Sequence, residues 1–305
     1  MTQKIGVFID TQSLPDFVGR VASAKQAGFP SAWAPQVFGL DALTALAVAG
    51  REVPGIELGT AVVPTYPRHP MVLAGQALTT QAASATPQGS GGAKGRLTLG
   101  IGLSHKMVVE NMWGISFDKP ARHMEEYLSV LMPLLKEKSI AFTGDTIKAM
   151  GQLQAKDVEA PSVLVAALGP KMLGLAGTLT DGTITWMTGP KTIGAHIVPR
   201  LTEAADAAGK PTPRVVGGLP VAVTEDEQAA RERAATVFSI YGQLPSYRAM
   251  LDREGAEGPA DVAIVGSESS VRAQIEEVFA QGATEFMVAP FIEPQRTLEA
   301  VAKML

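Results

Sequence analysis

Two segments carry the side chains best placed to do chemistry. Residues 56–70, IELGTAVVPTYPRHP, and 96–105, RLTLGIGLSH, each run as an apolar strand straight into Gly, Thr, Ser or His. A strand whose carboxyl end breaks into small and polar residues is how a parallel α/β protein builds its ligand-binding face. In the second segment Gly100 and Gly102 leave bare backbone against which a flat ring could lie, with Ser104 and His105 free to hydrogen-bond it. The competing reading is that the two glycines relieve crowding inside a barrel and His105 is a solvated loop residue. In the first segment three prolines stiffen the chain after Thr60, Ala61 and Val62. Arg68 and His69 then either face a ligand or serve the loop itself, and a lone His between Arg and Pro favours the loop.

Anion chemistry is suggested at two further places. ALGPK, residues 167–171, and TGPK, residues 188–191, each set Pro at the first turn of an expected helix. The free N–H groups there, with Lys171 and Lys191, could jointly receive a phosphate, although Gly-Pro is also ordinary turn punctuation. Other chemistry is missing. The chain has no HExxH, GxxxxGK[ST] or GxSxG motif, and His69, His105, His123 and His196 lack metal-ligand spacing, so no metal site is expected. With no cysteine there is neither a thiolate nucleophile nor a Cys-ligated metal, and redox work requires a bound organic cofactor.

These residues need a scaffold, and strand-like and helix-like patterns alternate along the whole chain. Strands are expected over residues 4–10, 31–36, 56–64, 97–104, 162–168, 183–187, 215–223 and 285–290. Most are nearly continuously apolar, as when packed side chains inside and helices outside cover both faces. The clearest helix spans 267–281, with Ser267 as cap, Val271, Ile275, Val278 and Phe279 on one face, and Gly282 closing it. Met124, Leu128, Leu131 and Leu135 mark another helical stripe. The first strand-to-helix turn reads FIDTQSLPD rather than GxGxxG, which favours a closed eight-stranded α/β barrel over a doubly wound sheet. Its 305 residues, 46% hydrophobic and 18% charged, are read as one domain, 1–305. Three stretches break the rhythm: a Gly/Ala/Ser-rich surface connection at 82–95, a hairpin within 140–160, and a polar segment at 243–263 around a helix SYRAMLDREG. A net charge of −4 gives no reason to expect nucleic acid or a membrane surface as partner. No run is long and apolar enough to span a bilayer and the start lacks a secretory pattern, so a cytoplasmic enzyme is expected.

KIGVFID, the AGFPSAW unit, LGTAVVP with the following RHP, GRLTLGIG, the VAALGP turn, DGTITWMTGP, and IVGS followed by GATEFMVAP together resemble the bacterial luciferase-like superfamily of flavin and deazaflavin enzymes. The resemblance covers nearly the whole chain and is strongest to the coenzyme F420-dependent oxidoreductases. It implies a TIM (β/α)8 barrel with insertions and a cis peptide bond between Ala61 and Val62 that props a bent ring system. It further implies that Gly59, Thr60, Ala61 and Val62 line the back of the ring. Gly102, Leu103, Ser104 and His105 would touch the ribityl and phosphate region, while Ala167, Leu168 and Gly169 bind phosphate with Thr188 close by. Lys106, Lys171 and Lys191 could attract the acidic tail of F420. Some members carry an Asp-His pair where this chain has Gln36 and Val37, so that acid-base pair is not expected here; His105 or Gln36 is the candidate to polarise substrate or ring. The implied activity is hydride transfer between F420 and a small-molecule substrate, in a homodimer. The alternatives are an FMN-dependent monooxygenase of the same superfamily and a non-catalytic flavin-binding protein.

Overall fold

In the computed structural model, which describes residues 4–87 and 93–305, the alternating pattern closes into a ring of parallel strands. These are β1 (Lys4–Phe8), β2 (Ser31–Ala34), β3 (Glu57–Thr60), β4 (Leu97–Gly102), β5 (Ser162–Val165), β6 (Gly182–Trp186), β7 (Arg214–Val223) and β8 (Glu285–Pro290). Each pairs with its sequence neighbours, and Lys4 opposite Glu285 joins β1 to β8. Beyond β3 a two-residue strand, Val63–Pro64, pairs again with Ile101 and Gly102. Several strands stop two to four residues short of the expected ends, because the final residues peel away into the loops that build the rim.

Alternate residues of each strand point inward and fill the barrel in layers. At the amino end Arg214 is held by both carboxylate oxygens of Glu285 at 2.7 and 3.0 Å, and also donates to Thr98 Oγ1 and Ser162 Oγ. Trp33, Leu164, Ile184, Val216 and Met287 form the middle layer. Trp33 fits because Gly59 has no side chain: a Cβ there would collide with the indole ring. Phe8, Ala61, Val62, Ala166 and Trp186 pack on top of that layer, so the barrel is a solid core whose chemistry must sit at its carboxyl rim.

The surrounding helices are α1 (Leu14–Gln26), α2 (Ala42–Glu52), α3 (Pro70–Ala83), α4 (Pro120–Lys136), α5 (Pro170–Leu179), α6 (Val198–Ala207), α7 (Glu227–Val237), α8 (Pro245–Glu254), α9 (Glu268–Ala280) and α10 (Pro294–Ala302). In α4 the stripe Met124, Leu128, Leu131 and Leu135 is wholly buried. In α9 the Ser267 hydroxyl accepts from Ser270 N and Gly282 closes the helix at φ +97°. Arg96 ties the ends of α2 and α3 together by donating to the carbonyls of Gly50, Val53, Ile56 and Ser84. Among the described residues no helix is long and apolar enough to cross a membrane.

The three interruptions resolve differently. The expected hairpin is present as Ser139–Thr143 paired antiparallel with Lys148–Gln152. The connection at 82–95 is less loose than its composition suggests: α3 runs to Ala83 and Thr86–Pro87 pairs with Ala93–Lys94, while residues 88–92 of that expected surface loop lie outside the described residues. The third is longer than expected. Ile264–Gly266 pairs with Val221–Val223, so the chain leaves the carboxyl end of β7 at 224 and returns to it at 264. Everything between, including α7, belongs to one excursion over that rim, and the crossover helix to β8 is α9.

Candidate active site

At the ends of β3 and β4 the chain spends most of its small residues on packing. Thr60 is fully buried; its Oγ1 donates to Gly100 O at 2.7 Å and accepts from Gly100 N at 2.8 Å. A Cβ on Gly100 would strike Thr60 O, and one on Gly102 would lie 2.8 Å from Val62 Cγ2 and 3.2 Å from Ala166 Cβ. The two glycines thus let the end of β3 press against β4, which is the crowding role weighed for them above. The bond between Ala61 and Val62 is cis. Ala61 and Val62 stay half-exposed at the mouth, whereas Gly59 and Thr60 are buried beneath them.

Leu103, Ser104 and His105 follow β4 onto the rim, half-buried, with Ser104 in the left-handed region at φ +63°. Burial pushes His105 below the ordinary histidine range, so its imidazole is neutral at pH 7. Gln36 is committed elsewhere: its Oε1 accepts from Ala42 N at 2.7 Å at the start of α2, with Arg68 next to it at 3.5 Å and paired to Asp41. His69 serves its loop by accepting from Met71 N at the head of α3, with Nε2 3.1 Å from Lys148 O of the hairpin. His123 stacks on Tyr66 with ring centres 4.0 Å apart, and burial takes it down to about 4.

The two Gly-Pro-Lys turns differ. Gly169 caps α5 without a side-chain hydrogen bond, nothing lies within 4 Å of where its Cβ would be, and among the described residues the Lys171 and Met172 amides have no hydrogen-bond acceptor. Buried Ala167 donates its N–H to Thr183 Oγ1 at 3.3 Å. The Leu168 carbonyl accepts from His196 Nε2 at 2.8 Å while His196 Nδ1 accepts from Arg200 Nε, which holds the turn in place, and burial lowers the His196 pKa against the Leu168 bond, which raises it. At the second turn the protein supplies its own anion. Glu254, the last residue of α8, accepts from Lys191 N at 3.1 Å, from Thr192 N at 2.7 Å and from the Thr192 hydroxyl. The expectation of a joint phosphate site is corrected accordingly: the second helix start is filled from inside. Thr188 is buried with its hydroxyl donating to Trp186 O. Lys106 pairs loosely with Glu110, and Lys171 and Lys191 are exposed.

Sequence reasoning missed an aromatic wall on this rim. Trp186 stacks on Phe8 at 5.7 Å and meets Tyr241 and Phe238 edge-on at 6.1 and 6.2 Å. Tyr247 packs on Tyr241 at 5.0 Å and reaches His105 at 5.7 Å. The only signal in the sequence was a Trp at a strand end and three aromatics in an otherwise polar insertion. Among the described residues no cluster of His, Asp or Glu could hold a metal ion. The rim thus offers a half-exposed apolar ledge at β3, a free helix start at α5, and a neutral aromatic wall between β6 and the excursion.

Comparison with known proteins bears on the family and the fold. The family model described as luciferase-like monooxygenase matches residues 2–285. A 5,10-methylenetetrahydromethanopterin reductase of Methanolobus tindarius is 27% identical over 246 residues, which is 80% of this chain and 72% of that protein. The solved coenzyme F420-dependent tetrahydromethanopterin reductase of Methanopyrus kandleri has the same fold, with a TM-score of 0.83 over 99% of this chain and 98% of that one at 21% identity. So does the oxygenating constituent of 3,6-diketocamphane monooxygenase from Pseudomonas putida, solved with FMN, at a TM-score of 0.76 and 16% identity over 99% and 97% of the two chains.

Proposed function

The chain belongs to the luciferase-like monooxygenase family, and from that premise we propose that it is a coenzyme F420-dependent oxidoreductase moving a hydride between the deazaflavin and a small organic substrate. One observation carries the reading: the open start of α5 at Gly169 shares a rim with the half-exposed Ala61 and Val62. A ring-bearing phosphate ester needs that pairing of an apolar ledge with a backbone anion site. The reductases among its relatives and structural neighbours support F420 over FMN.

The residues present fit such a group. Ala61 and Val62 would back the ring, and Leu103, Ser104 and His105 would run beside its ribityl chain. The Lys171 and Met172 amides at the start of α5 would take the phosphate, while the exposed Lys171 and Lys191 attract an acidic tail. When bound, the deazaflavin supplies two-electron hydride chemistry. The protein positions the reactants, and its aromatic wall keeps water from the mouth. His105, neutral at pH 7, has one ring nitrogen to donate and one to accept. Gln36 can act only through its amide N–H groups, since its oxygen holds α2. The working form is proposed to be a cytoplasmic homodimer.

The test is a titration of purified protein with F420 and with FMN, followed by fluorescence. Micromolar or tighter binding of F420, with FMN much weaker, is the expected result. The reverse order assigns the chain to the FMN-dependent monooxygenases, and binding of neither removes the redox reading.

A further inference from the structure

The amino end of the barrel, opposite the rim described above, holds a cleft of about 500 Å³. Here the strands begin and the surrounding helices end. The cleft lies among the last turn of α4, the approach to β5, the turn from α5 into β6 and the turn from α6 into β7. Its size is that of a small-molecule site, and it is independent of the cofactor reading. One wall is apolar, made by Met132 and Leu135 of α4 with Ala160, Pro161 and Pro211.

The polar side is largely closed on itself. Arg214 is committed to Glu285, Thr98 and Ser162. The Ser162 hydroxyl donates to Asp181 Oδ2 at 3.0 Å, and the same oxygen accepts from Val163 N at 2.8 Å. Arg214 and Glu285 cancel in charge, which leaves Asp181 against two ammonium groups, Lys136 and Lys210, so the lining is cationic. The helix ends are capped by other means. The Gly209 and Lys210 amides close α6 on its own carbonyls, with Gly209 at φ +65°, and Lys138 donates to Leu135 O in α4. The Lys210 ammonium donates to Thr180 O at the end of α5, which occupies one of its three N–H groups. Among the described residues neither Lys136 nor Lys210 forms an ion pair.

Charge and shape together select the ligand. Lys210 is half-buried: burial pushes its pKa down, the Asp181 carboxylate works against that, the Lys136 charge adds to it, and the balance stays downward. A negative charge seated between the two ammonium groups relieves both the burial and the repulsion. A neutral ligand relieves neither, and a second negative charge would meet Asp181 with no cation left to pair it. The apolar wall asks for a hydrophobic body behind the anion.

We propose that this cleft binds a small organic monoanion, a carboxylate on an apolar body, with the carboxylate between Lys136 and Lys210 and the body against Met132, Leu135 and Pro161.

The test titrates the whole protein with naphthoate, naphthamide and acetate, by calorimetry and by NMR of isotope-labelled methionine methyls. Naphthoate is expected to bind at least about tenfold more tightly than either of the others. It should shift the Met132 methyl, assigned through Met132→Leu, and leave in place Met107 and Met112, which are exposed on the loop after β4 at the opposite end. Lys136 is exposed, so its variants keep the fold: Lys136→Ala lowers naphthoate affinity about fivefold or more, and Lys136→Glu removes binding. Gly169→Asp, at the far end of the barrel, leaves that affinity unchanged. Absence of naphthoate binding, equal binding of naphthamide, shifts confined to Met107 and Met112, or full affinity in Lys136→Glu overturns the proposal.

Discussion

Replacing Glu254 should loosen the wall and uncover a second anion site. Its carboxylate accepts from two backbone amides and one hydroxyl at the helical run that begins at Pro190 and continues into α6. Loss of a capping acceptor costs about 0.5–2 kcal/mol, and loss of a negative charge at a helix start about 0.3–1 kcal/mol more. Glu254→Ala is therefore expected to lose on the order of 2 kcal/mol, a fall of about 3 °C in Tm for a chain of this length. Hydrogen exchange should quicken at the Lys191 and Thr192 amides and across α8, because the same contact anchors both. The vacated amides should then accept inorganic phosphate. With a Kd of about 10 mM, 100 mM phosphate restores about 1.4 kcal/mol by mass action. The α5 turn proposed to take phosphate is the same in both proteins, so the decisive quantity is the extra stabilisation seen only in the variant. Unchanged exchange at residues 191, 192 and 245–254, together with identical phosphate responses, would show that Glu254 is not what fastens the excursion.

Two other predictions use the same logic of buried amides and carboxylates. Glu126 is buried in α4, which by itself raises its pKa, but donors at Asp145 N, Thr146 N, Thr146 Oγ1 and Ile147 N outweigh that and hold it at about 2. A carboxyl lowered on folding stabilises the protein above its unfolded pKa and ceases to do so as pH falls through the folded one. Acid titration should thus remove on the order of 3 kcal/mol between roughly pH 4.5 and pH 2; Glu126→Gln should be less stable at pH 7 and lack this component, and a parallel acid profile in the variant would contradict the assignment. At Gly169 the backbone is extended, with φ −83° and ψ 158°, and has room for a Cβ. Gly169→Asp should cap α5, raising stability by a few tenths of a kcal/mol, while its carboxylate occupies the anion position. F420 affinity should drop at least about a hundredfold; affinity within threefold of wild type would mean that the phosphate lies elsewhere.

The barrel was legible because its signals are local. Runs such as IGVFI in β1 and EFMVAP in β8 are apolar on both faces, and the stripe of α4 repeats at helical spacing within one segment. Ala61–Val62 came from resemblance, not from any physical property of the two residues. What stayed hidden depends on partners far along the chain. Gly59 makes room for Trp33, 26 positions away, and Glu254 reaches Thr192 across 62, so the second Gly-Pro-Lys turn reads like the first until α8 is placed. Residues 227–237 resemble an ordinary crossover helix, and only the return of Ile264–Gly266 to β7 assigns them to the excursion.

The rim divides its tasks among elements that are anchored separately. The ledge at β3 is fixed to β4 through Thr60 and Gly100, and the α5 turn is fixed through Leu168 to His196 in the helical run that leads into α6. The wall is fixed by Glu254, with the Thr192 hydroxyl also within 3.3 Å of Met250 O, between α8 and the helical run that starts at Pro190. Because the first two fastenings lie within the barrel units and the third lies in an excursion outside them, substitutions at Tyr241 or Tyr247 should leave intact the hydrogen bonds that shape the ledge and the α5 turn. Independent anchoring of this kind predicts additive effects: Gly169→Asp and Glu254→Ala should change stability separately, and the stability change of their double variant should equal the sum of the single effects. Strong coupling between them would mean that ledge, turn and wall move as one body.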